Sequence, residues 1–361
     1  MHKVKHIPEN PALRIKTSTA AIPVVVGLGV IFYMFSREFN PEAFTLFHFN
    51  YHAIFWIFIA ALFMVGRDIG YTLRLMTLTD GKFRFWKSLK VIMLWEFTSA
   101  ITPSAVGGTS VAVVYVNKEG LTVGHSSAVV MITSFLDELY FIVMFPLVIL
   151  IAGTTNLFDI GTSASGIETN ELIWFSVIGF SLKLAWVLTL SYGLFVNPRG
   201  LKWLILLIFK LPLLRRWKHG ANRAGSDIIS SSKHFKNKPF SFWLKTIGYS
   251  FLSWTSRFLV VNALLIAFFP VSKHLLIYAR QLVMWIMMLV SPTPGGSGFA
   301  EFVFTRYLSE FIPVNAALVG SVAVGMALLW RLISYYPYLI VGALLFPRWV
   351  KKHFITKKQS A

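Results

Sequence analysis

Seven ionisable side chains interrupt the long apolar stretches of this sequence. A charge at the centre of a bilayer costs at least ~2.5 to 3.5 kcal/mol, so such residues are normally paired, face a cavity or take part in function. Carboxylates at this depth suit a cationic group or a proton, and basic side chains suit an anion such as a phosphate. The seven residues are Glu96, Asp137, Glu138, Lys183, Arg257, Glu301 and Arg331.

Two apolar stretches, residues 88–116 and 275–311, are broken in the middle by proline and glycine. The breaks read TPSAVGGT from Thr102 and SPTPGGSG from Ser291. A helix that starts at such a break has free amide groups and a positive dipole end, so each break is predicted to bind an anion, for example a lipid phosphate. The candidate contacts are Gly107, Gly108, Thr109, Gly295, Gly296 and Ser297, with Glu301 three residues after Gly298.

Asp137 and Arg331 lie in the apolar spans that follow the two breaks, at corresponding places in the two halves of the chain. One interpretation is a buried ion pair between them that fixes the halves or breaks during transport. In the other, Arg331 binds a lipid phosphate while Asp137 or Glu138 holds a cationic group or a proton. Secondary candidates are Glu96, Glu138, Arg257 and Arg280, and Lys183 has no obvious partner.

The sequence lacks the residues that several classes of chemistry require. The chain has no Cys, which excludes disulfides, thiolate metal sites and cysteine nucleophiles. It has no nucleotide-binding glycine motif with a Lys, no His pair spaced for zinc and no nucleophile elbow. We therefore predict neither a catalytic residue, a metal nor a cofactor.

The elements that position these residues are membrane helices. Of the 361 residues, 56% are apolar and 14% charged, which is far from the balance of a soluble domain. Apolar runs long enough to cross a bilayer recur along the whole chain. Six full spans are predicted, at residues 19–35, 51–78, 125–152, 172–196, 242–269 and 315–346.

The distribution of the 34 Lys and Arg residues predicts what the two broken stretches do, because these residues mark cytoplasmic loops. Residues 67–90 hold six of them and 197–245 hold eleven, whereas 153–171 hold none. A full crossing by 88–116 would put 153–171 inside and 197–245 outside, so re-entrant hairpins at 88–116 and 275–311 fit the bias better. Eight ordinary kinked spans are the alternative.

This topology makes an all-α polytopic protein with an inverted-topology repeat. The predicted segments are a cytoplasmic N-terminal segment at 1–17, a first transmembrane half at 18–152 and an outer loop at 153–171. A second transmembrane half at 172–346 and a basic cytoplasmic tail at 347–361 follow. A basic cytoplasmic linker at 197–240 interrupts the second half. The linker at 199–238 and the tail at 348–358 are predicted to lie on anionic lipid of the cell membrane rather than on nucleic acid.

The residues of the second break resemble a family signature. Pro292 to Gly298 followed by Glu301 is similar to the Pro-x-Pro-Gly-Gly-x-Gly-x-x-Glu motif of the transmembrane region of lysylphosphatidylglycerol synthases, the flippase-like proteins. Pro103 to Gly108, the Asp137 region, and Arg331 with Tyr338 and Gly342 resemble weaker motifs of that family. The resemblance covers about residues 20–346. It implies lipid handling but not lysyl transfer, because the fused synthase domain of some members has no counterpart here.

These observations favour a lipid translocator that moves an anionic, aminoacylated or polyprenyl-linked lipid between leaflets, with its head group held at the hairpin tips. A second hypothesis is an intramembrane transferase acting on a lipid phosphate, with Asp137, Glu138 or Glu301 as its base. A third is a membrane partner that positions a separate lipid-modifying enzyme. The absence of a recognisable donor-substrate site favours translocation.

Overall fold

The computed structural model describes residues 41–102, 104–153, 157–158, 169–208, 235–288 and 296–355, with a few single positions between 210 and 232 and Thr293. The predicted first span at 19–35 lies outside the described residues, as do Gly295, most of the predicted outer loop and part of the basic linker. All regular structure in the described ranges is helical.

Eleven α-helices make up this described part. In chain order they are α1 (Tyr51–Leu78), α2 (Phe85–Ile101), α3 (Ser104–Lys118), α4 (Val123–Ala152), α5 (Thr169–Ser191), α6 (Pro198–Ile208), α7 (Phe240–Phe268), α8 (His274–Met287), α9 (Phe299–Leu308), α10 (Ala316–Ser334) and α11 (Tyr336–Val350). A short 3-10 helix, Pro41–Leu46, precedes α1.

Five helical segments are long and apolar enough to cross a membrane. They coincide with the five predicted spans that fall among the described residues, so the chain is a polytopic integral membrane protein. The segments are Tyr51–Leu78, Val123–Ala152, Ile173–Val196, Phe240–Phe268 and Ala316–Phe354.

Helices α1 and α7 pack closely along a seam of small residues. Gly66 and Gly70 on α1 face Ser256 and Ser253 on α7, the small-xxx-small spacing that lets membrane helices approach. Ser253 Oγ also donates a hydrogen bond of 3.0 Å to the Arg67 carbonyl oxygen across the seam. The charged residues of α1 are thereby held against the middle of α7.

The first broken stretch is two helices that fold back on each other. Helix α2 ends at Ile101 with Thr102 in an extended conformation, and a Cβ on Gly108 of α3 would lie 2.8 Å from Ser99 Cα. Lys90, near the start of α2, lies 2.5 Å from Glu119, just beyond the end of α3. The α2–α3 pair therefore begins and ends at the same end of the bundle.

Glu119 also contacts the end of α11, which therefore packs at the same end of the α2–α3 pair. Its Oε1 accepts a 3.1 Å hydrogen bond from Trp349 Nε1. Burial disfavours the charged form of Glu119, but the hydrogen bond and charge of Lys90 outweigh it, so the pKa of this carboxyl lies below its ordinary value.

The second broken stretch has the same form. Helices α8 and α9 are joined through residues 288–298, and Arg280 Nη1 on α8 donates to the Tyr307 carbonyl oxygen on α9 at 3.1 Å. With 14 and 10 residues, neither helix alone reaches the roughly 20 residues that a full crossing needs.

The predicted span at 315–346 contains a break, because two helices form it. Helix α10 ends at Ser334, Tyr335 takes φ −132° and ψ −56°, and α11 starts at Tyr336. Pro337 in the first turn of α11 explains the break, since proline lacks an amide hydrogen and crowds the turn before it. The broken span brings Tyr335 to the middle of the bundle.

The close approach of α1 and α7 gives a prediction. Gly70→Ala would put a Cβ 2.8 Å from the Tyr249 carbonyl oxygen and closer still to Ser253 Oγ, so we expect it to destabilise the fold by about 1–3 kcal/mol. Thermal unfolding in detergent, followed by tryptophan fluorescence, measures this. Gly248→Ala is the control, because a Cβ there meets no atom within 4 Å and alanine favours the helix. Equal effects of the two substitutions would contradict the packing described.

Candidate functional site

A cavity of about 370 Å³ lies between the two broken stretches. Both breaks contribute to its wall, through Thr102 and Thr109 on one side and Thr293 and Gly296 on the other. Apolar cores pack on both sides of it, one around α8, α9 and α10 and the other around α2, α3 and α11. Six of the seven deep-lying ionisable residues also line it: Glu96, Asp137, Glu138, Lys183, Arg257 and Arg331.

Glu301, the seventh of these residues, lies directly behind Arg331. Arg331 Nε donates to Glu301 Oε1 at 2.9 Å and Nη2 to Oε2 at 3.3 Å, while Nη2 also donates to the Gly296 carbonyl oxygen at 3.2 Å. Glu301 is only 2% exposed, and its Oε2 accepts the Gly298 amide at 2.7 Å. The amino end of α9 thus already holds a carboxylate of the chain itself, and the predicted ion pair between Asp137 and Arg331 is wrong.

Tyr335 joins the two breaks to each other. Its hydroxyl donates to the Ala100 carbonyl oxygen near the end of α2 at 3.1 Å, and lies 3.1 Å from Ser297 Oγ in the second break. The bend between α10 and α11 positions this side chain, because Tyr335 is the one residue that separates the two helices. One hydroxyl group therefore contacts both breaks.

Asp137 pairs with Arg74 of α1, at 2.6 Å from Nη1 and 3.3 Å from Nη2. The same carboxylate accepts a 2.8 Å hydrogen bond from Trp254 Nε1, and Ser250 Oγ accepts one from Arg74 at 2.9 Å. This network links the middles of α1, α4 and α7.

Arg67, two helical turns before Arg74, is fully buried. Its Nη1 donates to Asp68 at 2.8 Å and its Nη2 lies 2.6 Å from Glu96 Oε2, while the Tyr338 hydroxyl contacts both Asp68 oxygens at 2.9 Å. The assignment of Arg67 and Arg74 to a cytoplasmic loop is therefore wrong. Because they are seven residues apart, both lie on one face of α1. This spacing in the sequence could have indicated that the two arginines face the interior of the bundle.

Lys183 has a partner that its sequence position did not indicate. Its Nζ lies 2.6 Å from Glu138 Oε2 and sits over the Phe141 ring at 4.5 Å. A lysine on α5 thereby neutralises the carboxylate next to Asp137.

Arg257 differs from the other cations of the cavity. Its guanidinium stacks over the rings of Trp285, at 4.6 Å, and Trp254, at 5.6 Å. Within the described part of the chain no hydrogen bond or salt bridge joins it to an acceptor. It is therefore the basic group best placed to meet an incoming anion.

Several predicted contacts lie away from the cavity wall. Gly108 packs against Ser99, and Ser297 is buried against Tyr335. Arg280 pairs with Glu310 at 2.8 Å and faces Phe311, away from the cavity. Gly107 lies in the first turns of α3, and Gly295 is outside the described residues. No group of three or more potential metal ligands occurs in the part of the chain that the structure describes.

The buried clamp between Arg331 and Glu301 gives a prediction. Arg331→Met leaves the Glu301 carboxylate buried without its cation, and we expect a loss of about 3–5 kcal/mol in unfolding free energy. Adding Glu301→Met should recover part of that loss, because the uncompensated charge is gone. Thermal unfolding of both single variants and the double variant forms the cycle. Losses that simply add would contradict a coupled pair.

Comparison with known proteins agrees with this architecture. Residues 20–342 match the family described as lysylphosphatidylglycerol synthase TM region. A UPF0104 membrane protein of Archaeoglobus fulgidus is 27% identical over 299 residues, which cover 80% of this chain and 84% of the relative. The family match includes both broken stretches and all the cavity residues named above. The chain therefore belongs to the lysylphosphatidylglycerol synthase TM region family.

Proposed function

We propose that this protein moves a lipid between the leaflets of the cell membrane, with the polar head group in the central cavity and the acyl chains in the bilayer. The observation that carries the proposal is the cavity itself, where helix breaks and paired charges meet deep in an apolar bundle. Its volume of about 370 Å³ falls within the range of small-ligand pockets. The family to which the chain belongs is linked to lipid handling.

The proposed topology is six full spans and two re-entrant hairpins in an inverted repeat, with both termini cytoplasmic. Two observations support it. The α2–α3 pair returns to the end where it began, and α8–α9 folds back in the same way. The basic segments at 199–238 and 348–358 would then lie on the anionic inner surface of the membrane.

Translocation fits the site better than an intramembrane transferase does. Each carboxylate proposed as a base already has its own cation: Arg74 for Asp137, Lys183 for Glu138 and Arg331 for Glu301. A carboxylate held in such a pair would have to separate from its cation before it could act on a substrate. The same pairs make a polar surface along which a head group can pass without exposing it to lipid. A role as partner of a separate lipid-modifying enzyme would need no such passage.

Filling the cavity tests translocation. Ser134 lines the cavity on α4, and among the described residues its hydroxyl donates to the Val130 carbonyl oxygen of its own helix. Ser134→Phe should therefore block the cavity without breaking an ion pair, and we expect at least a tenfold fall in the rate of leaflet exchange. The assay uses purified protein in liposomes with fluorescent phospholipids and a polyprenyl phosphate, and measures exchange by chemical quenching of the outer leaflet.

Ser127→Phe is the matched control. Ser127 lies two turns away on the same helix, makes the same bond to its own backbone, and is not part of the cavity wall. Its exchange rate should equal that of the unmodified protein. Exchange no faster than in protein-free liposomes for every lipid tested would refute the proposed function.

Cysteine labelling tests the topology, since the native chain has no Cys. Single cysteines at Lys82 and Lys118 flank α2–α3, and those at Lys273 and Ser309 flank α8–α9. Re-entrant hairpins predict that both members of a pair label from the same membrane face, and that the two pairs label from opposite faces. Eight kinked spans predict that the members of each pair label from opposite faces.

A further inference from the structure

We infer that the cavity binds a zwitterionic head group of the phosphoethanolamine type, with its phosphate at Arg257 and its primary ammonium group at Glu96. This inference rests on the proposed function, because it names the lipid class for the same cavity. It is drawn from how the charges in and behind the cavity wall are paired, and which of them are left over.

The charges balance in number but not in position. Five cations and five carboxylates lie in the wall or directly behind it, and three carboxylates have a cation of their own. Arg67 is shared by two carboxylates, whereas no carboxylate among the described residues lies within salt-bridge distance of Arg257, which interacts with Glu96 only at longer range. The ten residues are Arg67, Arg74, Lys183, Arg257, Arg331, Asp68, Glu96, Asp137, Glu138 and Glu301.

The surplus negative charge is available at Glu96. Of the two carboxylates on Arg67, Asp68 also accepts the Tyr338 hydroxyl, whereas Glu96 lines the cavity with a quarter of its side chain exposed. Arg67 Nη2 approaches Glu96 to 2.6 Å but is not aligned as a hydrogen-bond donor. Glu96 thus keeps acceptor positions that can take hydrogen bonds from a ligand.

The surplus positive charge is available at Arg257. Stacking on Trp285 and Trp254 fixes the guanidinium plane while leaving its N–H groups free, the geometry that binds a phosphate through two parallel hydrogen bonds. Arg257 and Glu96 line the same cavity. A ligand with one negative and one positive group offers a direct partner to each, whereas a purely anionic head group competes with Glu96 for its cations and offers it no donor in a low-dielectric site.

The aromatic rings of the cavity favour a primary amine over a quaternary one. Quaternary ammonium groups are bound on free aromatic faces. Here Arg257 lies over Trp254 and Trp285, Lys183 over Phe141, and Arg331 over Trp330 and Tyr335. Phe258 and Phe304, which also line the cavity, pack against Trp254 and Trp330. A primary ammonium instead donates hydrogen bonds, which Glu96 can accept. The head group expected is therefore phosphoethanolamine rather than phosphocholine.

Leaflet exchange tests this with three phospholipids that carry the fluorophore on an acyl chain and differ only in head group. We expect the ethanolamine lipid to exchange at least fivefold faster than the choline and glycerol lipids. An ethanolamine lipid whose amine is blocked by the fluorophore is the matched control, and it should lose the advantage. Exchange without preference among the head groups would overturn the inference and leave translocation standing.

Variants assign the two charges. Glu96→Gln should lower exchange of the ethanolamine lipid to that of the glycerol lipid, while Arg257→Gln should slow all three at least fivefold. Glu310→Gln alters an ion pair away from the cavity, so it should change neither the exchange rates nor the preference for the ethanolamine lipid. A Glu96→Gln protein that keeps the ethanolamine preference would contradict the assignment. Thermal unfolding shows whether each variant is folded.

A binding measurement separates this inference from the proposed function. Trp254 and Trp285 contact Arg257, so titration with short-chain lipids in detergent should change the tryptophan fluorescence. Tighter binding of the ethanolamine lipid with no exchange of any lipid would refute translocation and keep the head-group inference. Equal binding of the three lipids would refute the inference by itself.

Discussion

The cost of burying charge in an apolar bundle governs this structure. An ion without a partner at mid-depth is expensive, so the ionisable residues of seven helices converge on one cavity, where most of them form ion pairs. Arg74 with Asp137 holds α1 against α4, Lys183 with Glu138 holds α5 there, and Arg331 with Glu301 holds α10 against α9. The ion pairs that offset the cost of burying these charges also fix the positions of the helices. The same contacts therefore stabilise the fold and shape the cavity.

The helix breaks obey a related constraint. Backbone amides and carbonyls that a break leaves without helical partners must be satisfied inside the protein, since lipid offers none. Glu301 accepts the Gly298 amide, Arg331 donates to the Gly296 carbonyl and Tyr335 donates to that of Ala100. The irregular backbone is thus stabilised by the polar and charged side chains around the cavity, and those side chains are in turn partly satisfied by the backbone of the breaks.

Hydropathy and charge predicted much of this architecture, because membrane insertion leaves a strong mark on sequence. The described spans and both breaks were found in this way, and the residues that line the cavity were found as ionisable groups in apolar surroundings. Their partners were not. Whether Asp137 pairs with Arg331 or with Arg74 depends on how the helices rotate and pack. Arg67 and Arg74 were assigned to a loop because a count of positive residues in a segment does not show which of them are buried. The bend at Tyr335 was missed because Pro337 is tolerated within many membrane helices.

The position of the Tyr335 hydroxyl has a mechanical consequence. It is bonded to backbone of one break and side chain of the other, and it sits at the joint of a bent helix. Any displacement of one broken stretch against the other must stretch or exchange these bonds, so the positions of the two breaks are coupled through a single hydroxyl group.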